Sequence, residues 1–240
     1  MKKLLIAVCC LFIAAAAHAG FDDDFKKHIS AATAGDIESY ARDLGLIAGV
    51  TDFHNGSTVS FPGFDVGVVA NFMDPNNKID SDADNDYVFM PMVYGNAKLP
   101  ILGLNLSARG TSYDGLTSIG GGLKWSLVGA SILPFFPDIT AGAFYDRMKT
   151  DYYSADHFSA SVSASVKVLI LEPYVGVGYD YTDLEVKSTG TSFDGKSYDH
   201  DGTRFTAGLN VTPFPFLYVF GSYTQASSTK IYQAGVGARF

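Results

Sequence analysis

Four aspartates at alternate positions, Asp80, Asp82, Asp84 and Asp86, form the densest set of hard oxygen donors in the chain. Such a run suits calcium, a hard cation that takes several oxygens converging from one turn. The central glycine and the closing glutamate of a helix-loop-helix calcium site are missing, so the run reads either as a different calcium loop or as a solvated acidic loop. Farther along, Tyr198-Asp199-His200-Asp201 sets an imidazole between carboxylates. With Asp82 and Asp84 brought alongside, His200 would activate a water while the carboxylates orient it. His157 and Ser159 make a third candidate, a base and a hydroxyl nucleophile two residues apart. That pair needs a carboxylate to orient the imidazole, and the sequence places none beside it.

Whether any of these groups meet depends on the elements that carry them. The first residues read as a secretory leader: Lys2 and Lys3, an uncharged apolar run from Leu4 to Ala17, and the small-x-small triplet Ala17-His18-Ala19. Residues 1–19 are therefore set apart from the fold. Both cysteines, Cys9 and Cys10, fall inside that leader, which leaves the remainder without thiol or disulfide chemistry. The net charge of −8 becomes more negative once Lys2 and Lys3 are removed, which argues against nucleic acid as a partner. No later stretch is apolar and long enough for a membrane helix. Yet the chain is 14% aromatic, only 18% charged and holds 25 glycines. A secreted chain of that composition fits a transmembrane β-barrel, with a periplasmic β-sandwich as the competitor.

Residues 20–60 form a separate N-terminal segment. Asp22 to Asp24 open an acidic stretch that reads as mobile. Ile37, Tyr40, Ala41, Leu44 and Ile47 then recur at helical spacing and predict a short amphipathic helix over 36–48, with Gly49 ending it. Packing on the periplasmic rim is the preferred placement, and a plug in the barrel mouth is the alternative.

From Phe64 onward the period changes to two. Residues 157–168 set Phe158, Ala160, Val162, Ala164, Val166 and Val168 against His157, four serines and Lys167. Successive strand residues face opposite ways, so one face meets lipid and the other the bore. The same alternation marks 64–73, 104–111, 117–127, 138–147 and 204–212, and more weakly 87–98, 173–186 and 217–225. Polar loops alternate with short or apolar connections. The pattern predicts an all-β antiparallel transmembrane barrel over 61–240, of about ten strands with eight as the alternative, preceded by the short helix. Both barrel ends of the chain then lie on the periplasmic side. Asp65, Arg109, Lys124, Asp146, Lys167, Asp180, Arg204 and Arg239 fall on the bore face. A barrel this narrow is close to filled by side chains, so mixed charges there must pair or stay hydrated.

The last strand alternates Tyr232, Ala234, Val236, Ala238 and Phe240 with Ile231, Gln233, Gly235, Gly237 and Arg239. Tyr232, Val236 and Phe240 resemble the signal that outer-membrane barrels present to the insertion machinery. Together with the helix region and the Pro62-Gly63-Phe64-Asp65-Val66-Gly67-Val68 opening, this terminus resembles a family of small proteobacterial outer-membrane β-barrels classified by fold alone. That resemblance implies location in the outer membrane and architecture, and it brings no activity and no catalytic residues; lipid and lipopolysaccharide are the expected partners of a chain so placed, and no cofactor is expected. Asp82, Asp84, Asp199, His200 and Asp201 faintly resemble the rim residues of omptin proteases, and His157-x-Ser159 resembles a pair in an outer-membrane lipid A deacylase. The alternation turns that last pair inward, away from lipid. The expected function is a structural or narrow-channel role without catalysis, with a surface-loop hydrolase or an adhesion barrel as alternatives.

Overall fold

Alternating strands joined in sequence have one way to remove both sheet edges, which is to pair the last with the first. The computed structural model, which describes residues 21–59, 63–74, 87–100, 103–129 and 136–240, does so. Ten antiparallel strands form a closed barrel in simple up-and-down order. They are β1 (Phe64–Asp74), β2 (Val88–Lys98), β3 (Leu104–Tyr113), β4 (Leu116–Val128), β5 (Asp138–Lys149), β6 (Tyr153–Ser165), β7 (Leu171–Val186), β8 (Ser197–Phe214), β9 (Leu217–Ala226) and β10 (Thr229–Arg239). Closure comes from β1 on β10, in a register that sets Val68 opposite Val236 and Asp65 opposite Arg239. The leader and the four aspartates of 80–86 lie outside the described residues.

Connections differ from the expected pattern. At the end opposite the strand termini, Asp114-Gly115 is a two-residue turn with both φ angles positive, which suits the twist of a tight hairpin. Only the connections 75–87 and 187–196 are long at that end. Loop length therefore segregates less cleanly than the sequence pattern suggested. The strand β8 also begins at Ser197, well before the expected 204, so Asp199, His200 and Asp201 belong to a strand and not to a loop.

The N-terminal segment occupies the bore. The acidic stretch that reads as mobile is a helix, α1 (Phe21–Ile29), seated at the end away from the strand termini. There the Asp151 amide donates to Asp22 and the Lys26 ammonium to the Tyr152 hydroxyl. A second helix, α2 (Ala34–Gly49), starts in a capping box between Thr33 and Asp36 and runs down inside the barrel. It continues into a single 3-10 turn, Val50–Asp52, and an irregular stretch to Val59. The preferred rim placement is thus corrected: the helix is a plug. The cause is a bore wall that is apolar at the α1 end. Phe25, Ile37, Tyr40, Leu44 and Ile47 pack there with the inward-facing Met73, Met90, Tyr153, Leu184 and Ile231. Full burial of one Ile or Leu side chain contributes about 1.5–3 kcal/mol, more than a neutral hydrogen bond at about 1. The apolar face therefore supplies most of the docking, and the polar contacts set its register.

Gly49 does not end α2 in a left-handed cap. Its φ is −63°, and the chain continues helically into Val50. Its role is close approach. A Cβ at Gly49 would collide with Asp180 and lie 2.7 Å from Arg204 Nη1. One turn earlier, a Cβ at Gly45 would collide with Thr182 and lie 2.9 Å from His157 Nδ1. The two glycines let the helix backbone press on β6, β7 and β8.

Candidate functional site

The bore carries the richest set of polar groups, and the plug meets it in layers. Just below the apolar layer, wall amides take the carbonyls that the end of a helix leaves without partners. Asn71 Nδ2 donates to Ile47 O at 3.2 Å and Gln233 Nε2 to Val50 O at 3.3 Å. Farther down, Ser163 donates to Asn55 O and Thr140 to Gly56 O. Serines and threonines on the bore face of β5 and β6 thus pair the backbone of a chain segment that has no secondary structure to satisfy it.

Between these contacts lies a charge cluster centred on Asp52, which is 1% exposed. Its Oδ1 accepts from Arg109 Nη1 at 2.7 Å and from Ser159 Oγ at 3.0 Å, and its Oδ2 accepts from Arg204 Nη2. Arg109 also donates through Nε and Nη2 to both oxygens of Asp146, in a bidentate pair. Arg204 donates through Nη1 to Asp180. Each arginine is held by one carboxylate of the wall and one of the plug. Gly120 and Gly178 provide the room, since a Cβ on either would collide with Asp146 or lie 2.5 Å from the Arg204 guanidinium carbon, respectively. The ring of Phe144 lies between cations, with the Arg109 guanidinium 4.6 Å and Lys124 Nζ 5.6 Å from its centre.

A third layer closes the bore near the strand termini. His54 of the plug stacks on Tyr218 and Phe220, with ring centres 5.2 and 4.8 Å apart. Its Nε2 sits 3.7 Å from Asp65. Asp65 also accepts from the Tyr218 hydroxyl and, at 3.2 Å, from Arg239 Nη2. Among the bore-face residues read from the sequence, Asp65, Arg109, Lys124, Asp146, Asp180 and Arg204 are buried, and Arg239 is half-buried. Lys167 is a correction. Strand β6 ends at Ser165, and the chain turns back through a hairpin with Val168 paired to Leu171, which leaves Lys167 exposed beyond the barrel. Sequence reasoning missed Asp52, His54 and Ser159 as members of the network. The signal available for the plug was the four methionines Met73, Met90, Met92 and Met148, all on the bore face and buried. Flexible apolar side chains there imply an occupant to pack against.

Of the omptin-like set, Asp82 and Asp84 lie outside the described residues, and the other three do not share a face. Asp199 and Asp201 point to one face of β8 and His200 to the other, since they are consecutive strand residues. Tyr179 donates to Asp201 on the outer face, while His200 lines a small cavity beside α2 with Arg42 and Asp180. Asp180 does lie 3.5 Å from His157 Nε2, but the Ser159 hydroxyl donates to Asp52 and the other imidazole nitrogen is bonded to Thr182. Both His157 and Ser159 are sealed under the plug. Among the described residues no group of three or more His, Cys, Asp or Glu is placed to hold a metal ion.

The outside of the wall has the opposite character. Val66, Val93, Leu106, Leu123, Val175 and Leu209 are exposed in a continuous apolar band. Aromatic side chains flank it: Phe64, Trp125, Phe214, Phe216 and Phe240 at the end of the strand termini, and Tyr145, Phe158, Tyr181, Tyr223 and Tyr232 toward the other. Water does not tolerate such a surface, and aromatic girdles around an apolar band are the dress of barrels built into outer membranes. The chain is an integral outer-membrane β-barrel. No helix among the described residues is long and apolar enough to cross a membrane, so the strands do the crossing. No protein-family model and no curated protein matches the sequence. Similar solved structures include a KdgM porin, at 11% identity and TM-score 0.42 over 73% of this chain and 99% of that one. The translocator domain of the autotransporter NalP from Neisseria meningitidis matches at 15% identity and TM-score 0.41, over 86% and 97%. The N-terminal β-barrel domain of Pseudomonas aeruginosa OprF matches at 12% and 0.39, over 73% and 97%. Likeness at this level carries no functional argument.

Proposed function

We propose that this barrel is a channel held shut by its own N-terminal segment, passing small polar solutes only when that segment moves aside, and that it performs no catalysis. One observation carries the reading: Asp52, on the plug, joins two arginines of opposite walls, each of which already has a wall carboxylate of its own. The apolar face of α2 already fills and holds the bore, so Asp52 is not needed for that, and a buried ion pair gives little net stability over a hydrophobic replacement. An anchor made of charge is instead one that a change of partner can undo. The strand ends Phe64 and Arg239 face the periplasm in this reading, which puts α1 at the outer mouth. Lipid and lipopolysaccharide contact the apolar band, and the insertion machinery takes the last strand through Tyr232, Val236 and Phe240.

Planar-bilayer conductance tests the reading, with heat-modifiable gel mobility verifying that the barrel is folded. The wild-type protein is expected to be closed nearly all the time, and Asp52→Ala to open in discrete small steps. A steady large conductance from the wild type would refute a sealed bore. Silence from both proteins would remove the channel role and leave a structural one. An epitope tag inserted ahead of Phe21 is expected to bind antibody on intact cells, and labelling only after permeabilisation would reverse the orientation.

A further inference from the structure

We infer that the bore wall carries a carboxylate-binding site, made by Arg109, Arg204 and Ser159, which Asp52 occupies in the closed state and for which solutes bearing a carboxylate compete. The inference rests on the plugged-channel reading for its consequence, but not for its chemistry. The three donors come from β3, β8 and β6, all parts of the wall, while the acceptor comes from a segment that belongs to no strand. Wall and occupant are separable in a way that two strands of one sheet are not.

The site is built before its occupant arrives. Asp146 grips Arg109 by two hydrogen bonds and Asp180 holds Arg204 by one, so both forks stay aimed at the same point when Asp52 is withdrawn. Pre-organised donors lose little freedom on binding, which is where much of the cost of recognition usually lies. Charge favours an anion as well. Arg109 and Arg204 each pair with one wall carboxylate, Asp146 and Asp180, and Asp52 is the third carboxylate, shared between them. Lys124 has its ammonium near the Phe144 ring and no ion pair among the described residues. Withdrawal of the plug therefore removes the carboxylate that Arg109 and Arg204 share and leaves each with a single partner in a low-dielectric setting.

Shape narrows the class of ligand. Two donors converge on one oxygen of Asp52 and one on the other, an arrangement that a planar two-oxygen anion satisfies and a spherical halide does not. A carboxylate solute entering from the α1 end would meet these donors once Asp52 lets go. It shifts the closed–open balance only by its preference for the vacated site, which is complete, since Asp52 and the solute exclude each other.

Asp52→Ala in the full-length protein, folded in detergent, tests the site. Thermal unfolding is followed by gel mobility in sodium formate and in sodium chloride at equal ionic strength. The variant is expected to gain roughly 5 °C in formate at concentrations about a hundredfold above half-saturation, with a saturable dose response. The wild type, whose site is filled, is expected to unfold at the same temperature in both salts, which also controls for general salt effects. Equal stability of the variant in formate and chloride would overturn the site. If Asp52→Ala does not refold in chloride, refolding yield becomes the readout: recovery in formate supports the site, and equal failure in both salts removes it. A conducting variant indifferent to formate keeps the plug and eliminates the site; a silent variant stabilised by formate does the reverse.

Discussion

Replacing Asp52 with alanine takes away the carboxylate through which the plug reaches both Arg109 and Arg204. Three charge-assisted hydrogen bonds vanish, each worth about 1.5–3 kcal/mol in isolation. Their sum overstates the loss, because Arg109 keeps Asp146 and Arg204 keeps Asp180, so neither guanidinium is orphaned. Breaking a buried pair outright costs about 3–5 kcal/mol, and the low end of that range applies here. At about 1.4 kcal/mol per factor of ten, the undocked plug becomes roughly a hundredfold more populated. The apolar face of α2 remains, so the plug still spends most of its time in the bore. A thiol placed at Ala48, which is fully buried in the plug, reports the open fraction through its rate of labelling by a small thiol reagent. The only native cysteines, Cys9 and Cys10, fall within the predicted leader, so the background is clean. Labelling of Ala48→Cys is expected to run about a hundredfold faster beside Asp52→Ala than in an otherwise wild-type chain. Equal rates would refute the clamp. Rapid labelling of the otherwise wild-type chain would refute the docked plug itself.

Gly45→Val should force α2 off Thr182 and His157, with faster Ala48→Cys labelling and no loss of barrel formation by gel mobility; unchanged labelling would show that the helix backbone does not press on β6 and β7. Lys167→Ala should leave conductance and ion selectivity of the opened pore unchanged, since Lys167 lies outside the bore, whereas a selectivity change would return it to the lumen. Deleting Phe240 removes a ring stacked 5.1 Å from Phe64 at the barrel seam and is expected to lower the inserted fraction in cells, read by surface protease digestion. Full insertion of the truncated chain would place the signal elsewhere.

The barrel was legible because each strand states its own facing. His157 to Ser165 alternates without interruption, and no soluble packing asks for an exterior of Val162, Leu123 and Leu106. The bore charges were legible for the same reason, as parity alone sends Arg109, Asp146, Asp180 and Arg204 inward. Parity fails where the strand stops. Lys167 follows the code but sits past Ser165, and Asp199-His200-Asp201 looks like one constellation until the strand divides it between two faces.

Local pattern therefore determined the wall, and only the tertiary structure decided what fills it. The weak alternation of 87–98 came from apolar groups on both faces: Val93 faces outward while Met90 and Met92 are buried in the bore with the plug, Met92 accepting from Thr51 of the 3-10 turn. A period-two reading sees this as a poor strand. The plug itself had no sequence signature that separates it from a rim helix, because Ile37, Tyr40, Leu44 and Ile47 would suit any apolar surface. The partners of Asp52 lie 57, 107 and 152 residues away. Pairings over such distances are set by closure of the ten strands around the segment, a property of the whole chain that no local window contains.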